Sequence, residues 1–317
     1  MFYTKVCKIL NIQYPIILGG MVWVGKARLV AAVSEAGGLG LLGAGSMTVQ
    51  DITSETNEIK ALTNKPFGVN IPLVRPDAVE IIDAALKCGA SVISTSSGNP
   101  KVFTPMIHDS GAKVIHVVSS VKFAEKCEQA GVDIIVAEGF EAGGHNGFDE
   151  ITTMTLTPQV VDAVRTPVVT AGGIADGRGF IAALAMGAQG IQMGTRFMAT
   201  LESAAHDNVK NAIIQMSDEG TCVTGRTTVG PTRCLKNNIT VCIASAEQKG
   251  SSPEELNELI GAGRSMTGFI DGDCDEGSIY CGQIGGAIKQ LKSAKDVISD
   301  IISEAQAVLN RITKVNQ

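Results

Sequence analysis

The sequence predicts an α/β protein built as a TIM-type (β/α)8 barrel, a closed ring of eight parallel strands, with a small inserted lid domain. The chain has 317 residues, of which 36 are glycine, and the glycines recur directly after short runs of β-branched residues. Eight such runs end before residue 194, and helix-compatible stretches separate them. A doubly wound open sheet shares this alternation, but the count of eight strand-then-helix units favours the barrel.

The eight apolar runs are the predicted barrel strands, because strands buried on both faces of a sheet are nearly continuous in apolar residues. In chain order they span residues 15–18, 39–42, 67–71, 91–95, 113–118, 133–137, 167–170 and 190–193. The predicted helices between them cover residues 26–36, 77–88, 121–130, 157–164 and 177–186. Several of these helices end at a glycine, which can adopt the left-handed conformation that closes a helix.

The strand-and-helix rhythm stops after residue 204, and residues 205–264 are predicted to form the lid. This part contains a Gly/Thr-rich segment, 220–231, and the helix-start signature at 251–255, in which serine precedes proline and two glutamates. The barrel would then comprise residues 1–204 and 265–317. Apolar residues at helical spacing predict a final helix over 293–315 that packs back on the barrel.

Composition excludes several classes of protein. Hydrophobic residues make up 44% of the chain and charged residues 18%, so a large core can form. The net charge is -6 and no basic stripe is present, which argues against nucleic-acid binding. No apolar run is long enough to span a membrane, and the N-terminus lacks a signal-peptide pattern, so a cytoplasmic location is expected. The eight cysteines form no Cys-x-x-Cys pair and the four histidines are widely separated, so no metal site is expected.

Active sites of such barrels lie at the carboxyl ends of the strands, and in this chain those ends are mostly glycine. The candidate ligand-binding residues there are Gly20, Met21, Gly45, Asn70, Glu138, Gly143, Gly173, Gly194 and Thr195. The loops after the seventh and eighth strands, which contain the last three of these, match the place where barrels commonly bind phosphate. A mouth lined by backbone suits a large, flat, phosphate-bearing cofactor better than a metal, and a Schiff-base lysine is absent from the strand ends.

His145 is the candidate catalytic residue. It follows the sixth strand in a loop with flanking glycines, and an imidazole that titrates near neutrality can donate or remove a proton at carbon. Asn70 presents an amide suited to the edge of a heterocycle. Glu138 is expected either to bind ribose or ribityl hydroxyls or to fix the geometry of the loop, whereas a structural role is favoured for Glu141. His116, inside the fifth strand, is expected to be a packed residue.

Six motifs in order resemble one known family, the FMN barrels of the nitronate monooxygenase and enoyl-acyl-carrier-protein reductase II superfamily. They lie at residues 19–21, 36–40, 65–70, 141–145, 171–177 and 194–197. Within this superfamily, residues 137–139, 152–156 and the late segment 272–284 resemble the enoyl reductases. The resemblance covers nearly the whole chain.

The resemblance implies bound FMN, with its phosphate on the Gly173 and Gly194-Thr195 loops and with Asn70 and Glu138 on the rest of the cofactor. It implies NADH or NADPH as cosubstrate, an enoyl thioester on acyl carrier protein as substrate, and a homodimer, and it leaves a monovalent cation as a possible requirement. Arg233 and Lys236 of the lid are the candidate contacts to the phosphates of the nucleotide or of the carrier's pantetheine arm.

Two other functions remain open on the sequence alone. In a nitronate monooxygenase the same histidine would remove an α-proton from a nitroalkane, and oxygen would reoxidise the flavin. A flavin or phosphate-ligand binder without catalytic activity would use the same loops. Reduction of the flavin by pyridine nucleotide distinguishes the reductase from the monooxygenase, and loss of turnover on replacement of His145 distinguishes an enzyme from a binder.

Overall fold

A computed structural model describes residues 2–314, and it confirms the eight-stranded parallel barrel. The barrel strands are β1 (Ile16–Leu18), β2 (Gly40–Gly43), β3 (Phe67–Pro72), β4 (Val92–Ser96), β5 (Lys113–Val118), β6 (Ile134–Glu138), β8 (Val168–Ala171) and β9 (Ile191–Met193). They pair in the order β1-β9-β8-β6-β5-β4-β3-β2. The ring closes where Leu39 receives a hydrogen bond from the Leu18 N–H and donates its own to Ile16, each at 2.9 Å. Each observed strand lies within one residue of its predicted range.

Fourteen α-helices lie in the described residues and surround the barrel or build the lid. They are α1 (Lys5–Leu10), α2 (Ala27–Glu35), α3 (Val49–Leu62), α4 (Ala78–Lys87), α5 (Thr104–Asp109), α6 (Val121–Gln129), α7 (Thr153–Ala163), α8 (Gly177–Ala185), α9 (Thr195–Met198), α10 (Asp207–Gln215), α11 (Asn238–Gln248), α12 (Pro253–Ile260), α13 (Arg264–Phe269) and α14 (Ala294–Lys314). Short 3-10 turns cover Ala44–Ser46, Pro100–Val102 and Gln283–Ala287. None of the helices between residues 2 and 314 has the length and apolar character to cross a membrane.

The helix boundaries differ from the sequence prediction in two informative places. Helix α7 begins at Thr153 rather than at residue 157, because the Glu141 carboxylate accepts hydrogen bonds from the Thr153 N–H and extends the helix by a turn. Helix α3 was not predicted, although Thr48 and Asp51 form a capping box at its start. The final helix is confirmed up to Lys314, and its predicted last residue, Val315, lies outside the described residues.

Two apolar clusters divide the barrel into an interior and an outer layer. Alternation along each strand places Ile17, Leu41, Ile115, Val136 and Val169 inside the ring, whereas their chain neighbours pack outward against the helices. At the carboxyl end this inward face becomes polar. Its residues there are Asn70, Ser94, Glu138 and Gln192.

The lid packs over that polar end through a small antiparallel sheet. Strands β10 (Thr221–Thr224) and β11 (Thr232–Leu235) pair with each other, and β11 also pairs with β7 (Gly144–His145) from the loop after β6. A third apolar cluster fills the lid and includes Phe269, Ile279 and Ile288 from the segment that returns to the barrel. The proposed lid, residues 205–264, therefore shares its core with the return segment that follows it.

Candidate active site

A ring of polar side chains lies at the carboxyl end of the barrel interior. The Asn70 amide donates to the Ser94 hydroxyl at 3.2 Å, and the two residues sit opposite each other on β3 and β4. Gln192 on β9 is 6% exposed, and its side-chain oxygen has no hydrogen-bond partner within residues 2–314. Since a buried amide oxygen normally accepts a hydrogen bond, this atom is available to a donor on a bound molecule.

Glu138 completes this ring at the end of β6. No donor in the described part of the chain hydrogen-bonds to its carboxylate, and no cation pairs with it. Burial in the mouth raises the pKa of Glu138 to about 7, because the charged form loses its hydration without gaining a partner. The carboxyl group can therefore accept from, or donate to, a hydroxyl or ring nitrogen of a ligand.

The glycine-lined side of the mouth is formed by the loops after β1 and β2. A Cβ atom at Gly20 would overlap the Asn70 side chain, so these two predicted residues are in direct contact. Met21 lies against the backbone of Gly43, and its sulfur would be 3.5 Å from a Cβ at Gly194. Gly45 packs on Val22, one residue further along the first loop.

The loops after β8 and β9 present free backbone donors. Gly172 and Gly173 have φ values of +90° and +71°, a conformation that favours glycine. No acceptor among the described residues takes a hydrogen bond from the N–H groups of Gly173, Gly194 or Thr195. The Thr195 hydroxyl accepts from the Gly282 N–H at 2.9 Å. Two neighbouring loops therefore offer unpaired N–H groups of the kind that bind a phosphate.

His145 lies in β7, beside the lid. Its pairing with Thr232 of β11 fixes its backbone, while its side chain is exposed and neither ring nitrogen has a hydrogen-bond partner within the described chain. Desolvation by the surrounding groups lowers the pKa of His145 below its usual value. The imidazole is therefore neutral at pH 7 and can either donate an N–H or accept a proton.

The loop that contains His145 is fastened on both sides. The backbone of Gly143 packs directly on Cys281, where a Cβ would come within 2.5 Å of the Cys281 carbonyl carbon. The Glu141 carboxylate accepts from the N–H and the hydroxyl of Thr153, and its carbonyl oxygen accepts from the Gln283 N–H at 3.0 Å. These bonds give Glu141 the structural role that the sequence favoured.

The two basic residues predicted in the lid lie in different environments. Arg233 is 4% exposed; its guanidinium stacks on the Phe140 ring and donates to the Phe140 carbonyl and the Thr221 hydroxyl, each at 3.0 Å. Arg233 thus braces β11 against the histidine loop. Lys236 is exposed and lines a surface cavity of about 310 Å³. A contact between either residue and a ligand phosphate stays a prediction.

The other histidines lie away from this mouth. His116 faces outward from β5, is 4% exposed and contacts the Thr95 hydroxyl at 2.6 Å through Nδ1. Burial lowers the pKa of His116 to about 4, so it is a neutral packed residue, as expected. His108 pairs with Asp133 at the opposite end of the barrel. Residues 2–314 contain no group of three or more side chains that could hold a metal ion.

Sequence reasoning missed three residues of the mouth. Ser94 and Gln192 are polar residues at inward positions of otherwise apolar strands, which was a usable signal. Tyr280, whose ring lies 6.1 Å from that of His145, comes from a distant segment and carried no such signal.

The mouth fits a cofactor of the FMN type. The unpaired N–H groups of the two phosphate loops match a phosphate, and the polar ring offers both acceptors and donors to a heterocycle. FMN itself, and the assignment of each side chain to it, stay predictions.

The family model described as "Nitronate monooxygenase" matches residues 4–89 and 77–304. The structure of FabK from Thermotoga maritima superposes with a TM-score of 0.94 at 40% identity and covers 99% of each chain. The nitroalkane oxidase from Streptomyces ansochromogenes superposes with a TM-score of 0.82 at 27% identity, over 98% of this chain and 100% of that one.

Two of the curated relatives each align over 95% or more of this chain and of their own length. One, from Mycobacterium tuberculosis, is a hydroxy-methyl-oxo-octahydroindene-carboxyl-CoA dehydrogenase, 32% identical over 95% of this chain and 96% of that protein. The other, from Staphylococcus saprophyticus, is named "Probable nitronate monooxygenase" and is 32% identical over 97% of this chain and 99% of that protein.

Proposed function

Because the chain belongs to the nitronate monooxygenase family of oxidoreductases, we propose that it is an FMN-dependent enoyl-acyl-carrier-protein reductase that uses NADH or NADPH. The observation that carries the proposal is the match to FabK, at 40% identity over 99% of both chains, against 27% for the nitroalkane oxidase. The 32% identity to a carboxyl-CoA dehydrogenase supports the same substrate class, since its name also specifies a thioester.

The residues of the mouth would bind FMN in one orientation. The N–H groups of Gly173, Gly194 and Thr195 would hold the phosphate, and Asn70 and Glu138 would contact the rest of the cofactor, with Gly20 allowing its close approach. When bound, FMN would take electrons from the nicotinamide nucleotide and deliver a hydride to the β-carbon of the enoyl thioester.

His145 would act on the thioester end of the substrate. As hydride reaches the β-carbon, negative charge develops on the thioester oxygen, and a neutral imidazole can stabilise it by donating its N–H. Its exposed side chain and unpaired nitrogens leave it free for this bond. The glycines before it keep side chains out of the space between imidazole and ligand.

Nitronate monooxygenase activity is the second candidate, because the family model carries that description. A neutral His145 is also suited to accept the α-proton of a nitroalkane. The same residue serves both reactions, so the choice between them needs a measurement.

The deciding experiment follows the flavin absorbance of the purified protein without oxygen. NADH or NADPH should bleach the flavin, and an enoyl thioester on acyl carrier protein should restore its colour. His145→Gln should bleach normally and lose the thioester-driven recovery, while His108→Gln, a matched histidine variant at the far end of the barrel, should behave as wild type. A flavin that neither NADH nor NADPH reduces, but that a nitronate reduces, would overturn the reductase proposal.

A further inference from the structure

The orientation of the His145 ring depends on packing. Neither ring nitrogen has a hydrogen-bond partner in the described part of the chain, so no polar contact selects a rotamer. One aromatic ring, that of Tyr280, lies beside it, with centroids 6.1 Å apart and planes tilted by 56°. Aromatic pairs at this separation prefer tilted geometries, so this contact favours one setting of the imidazole.

Tyr280 is itself held from several directions. Its segment is joined to β11 by a bridge between Tyr280 and Cys234 and by a hydrogen bond of 2.8 Å from the Leu235 N–H to the Ile279 carbonyl. The far side of its ring packs on Phe269, with centroids 6.0 Å apart, and Phe269 is 1% exposed. The Tyr280 ring therefore lies between the buried Phe269 and the exposed His145.

A second set of contacts lies at the hydroxyl end of Tyr280. Burial raises the pKa of its phenol, with a smaller effect from Cys234, and the Ser265 hydroxyl partly opposes the shift. Ser265 also accepts a hydrogen bond of 3.1 Å from the indole of Trp23. Trp23 lies in the loop after β1 at a φ of +68°, an uncommon conformation for a bulky residue. Ser265 thus connects the surroundings of Tyr280 to the loop after β1.

The charges around His145 are few. Arg233 lies on β11 opposite Gly144, Cys234 and Cys281 flank Tyr280, and Glu141 in the same loop is bound to Thr153. A little further out, Glu150 pairs with Arg226 at 2.6 Å. An aromatic face can stabilise an imidazolium, but the loss of hydration dominates here.

We propose that Tyr280 is a positioning residue for His145. The phenol ring of Tyr280 turns the imidazole toward the barrel mouth and excludes water from one face of the imidazole. The effect of Tyr280 on turnover rests on the proposed function, whereas its effect on the orientation and pKa of His145 does not. Removing the ring would let the imidazole rotate and hydrate. Its pKa would then rise toward its usual value, and its N–H would miss the thioester oxygen in part of the molecules.

The test compares Tyr280→Leu, which removes the ring, with Tyr280→Phe, which keeps it and removes only the hydroxyl. NMR titration of the histidine ring protons in the flavin-containing protein would follow His145 directly, with its signal assigned from His145→Ala. We expect Tyr280→Leu to move the His145 pKa upward and Tyr280→Phe to leave it near the wild-type value. His116 should stay neutral in all variants and serves as an internal reference.

Turnover gives the second readout. Tyr280→Leu should lower kcat about tenfold, as expected for a misplaced catalytic group, with KM changed by less than about twofold. The double variant with His145→Ala should be no slower than His145→Ala alone. Tyr14→Leu, which alters a half-buried tyrosine far from the mouth, controls for general loss of aromatic packing. Tyr280→Met provides a second ring-free variant if the leucine variant does not fold.

The two readouts separate the two proposals. An unchanged His145 titration and an unchanged kcat in a folded ring-free variant would overturn the role of Tyr280, as would an equal effect of Tyr14→Leu. A wild-type protein inactive on enoyl thioesters would overturn the proposed function, while the titration would still decide whether Tyr280 positions His145.

Discussion

Replacing Glu138 with glutamine should make the flavin-free protein more stable at alkaline pH. The carboxylate lies at the end of β6 with no partner in the described residues, and burial raises its pKa from 4.5 to about 7. Such a group binds more protons in the folded than in the unfolded state between these two values. The contribution of Glu138 to the free energy of unfolding, measured as the difference between wild type and Glu138→Gln, should therefore become more destabilising as the pH rises from 4.5 to 7 and stay level above.

The size of this effect follows from the shift. The pKa of Glu138 differs by about 2.5 between the unfolded and folded states. At 1.36 kcal/mol per pKa unit, this gives roughly 3 kcal/mol as the upper bound on the loss in free energy of unfolding. Because the side chain keeps some contact with solvent at the mouth, we expect about 1–2 kcal/mol. For a chain of 317 residues that corresponds to a change in Tm of about 1.5–3 °C.

The assay is thermal unfolding of wild type and Glu138→Gln, both stripped of flavin, at several pH values between 4 and 9. Glutamine cannot titrate, so the difference in Tm should grow up to pH 7 and then remain constant. Glu141→Gln is the matched control; it weakens the hydrogen bonds to Thr153 and should lower Tm at neutral pH. A difference between wild type and Glu138→Gln that is the same at every pH would refute the reasoning.

Three further predictions follow from the mouth and the barrel wall. His145→Ala should keep its flavin and reduce enoyl turnover by at least about a hundredfold, whereas His108→Ala should stay near wild type, as measured by kcat. Gly20→Ala should push the Asn70 side chain aside and lower the amount of flavin retained on purification, read from the absorbance ratio. The folded-state pKa of His116 is lowered to about 4, so stability should fall as the pH drops from 6.5 to 4, and His116→Leu should flatten this acid limb of the Tm profile.

The barrel and half of its mouth could be predicted because they follow from local sequence. Each strand is a short apolar run that ends at a glycine or a polar residue, and the carboxyl ends of parallel strands must meet at one rim. Asn70 and Glu138 were therefore assigned to the same rim from their positions in β3 and β6 alone. Gln192 could have been found in the same way, since alternation puts it on the inward face of β9.

The contacts between the barrel and the lid could not be predicted, because they join residues far apart in the chain. His145 pairs with Thr232 and packs beside Tyr280, and nothing in the local sequence around either residue predicts these contacts. Strand β7 has only two residues and forms only because it pairs with β11. A segment this short shows no alternation of apolar and polar residues, so the sequence does not predict it. Arg233 illustrates this: its hydrogen bonds to the Phe140 carbonyl and the Thr221 hydroxyl join segments far apart in the chain and could not be predicted, while its contact with a ligand phosphate stays a prediction.

The barrel mouth by itself does not select a substrate. A neutral imidazole can donate to a thioester oxygen or accept a proton from a nitroalkane, and the proposed phosphate loops would hold FMN in either case. Selection must then come from the surfaces that lie over the mouth. Phe148, three residues beyond His145, is 76% exposed and lies against Gly230 of the lid, so an acyl chain that reached this surface could bury its ring. If His145 can serve either reaction, as proposed, we infer that the lid residues around Phe148, rather than this histidine, decide which substrate binds.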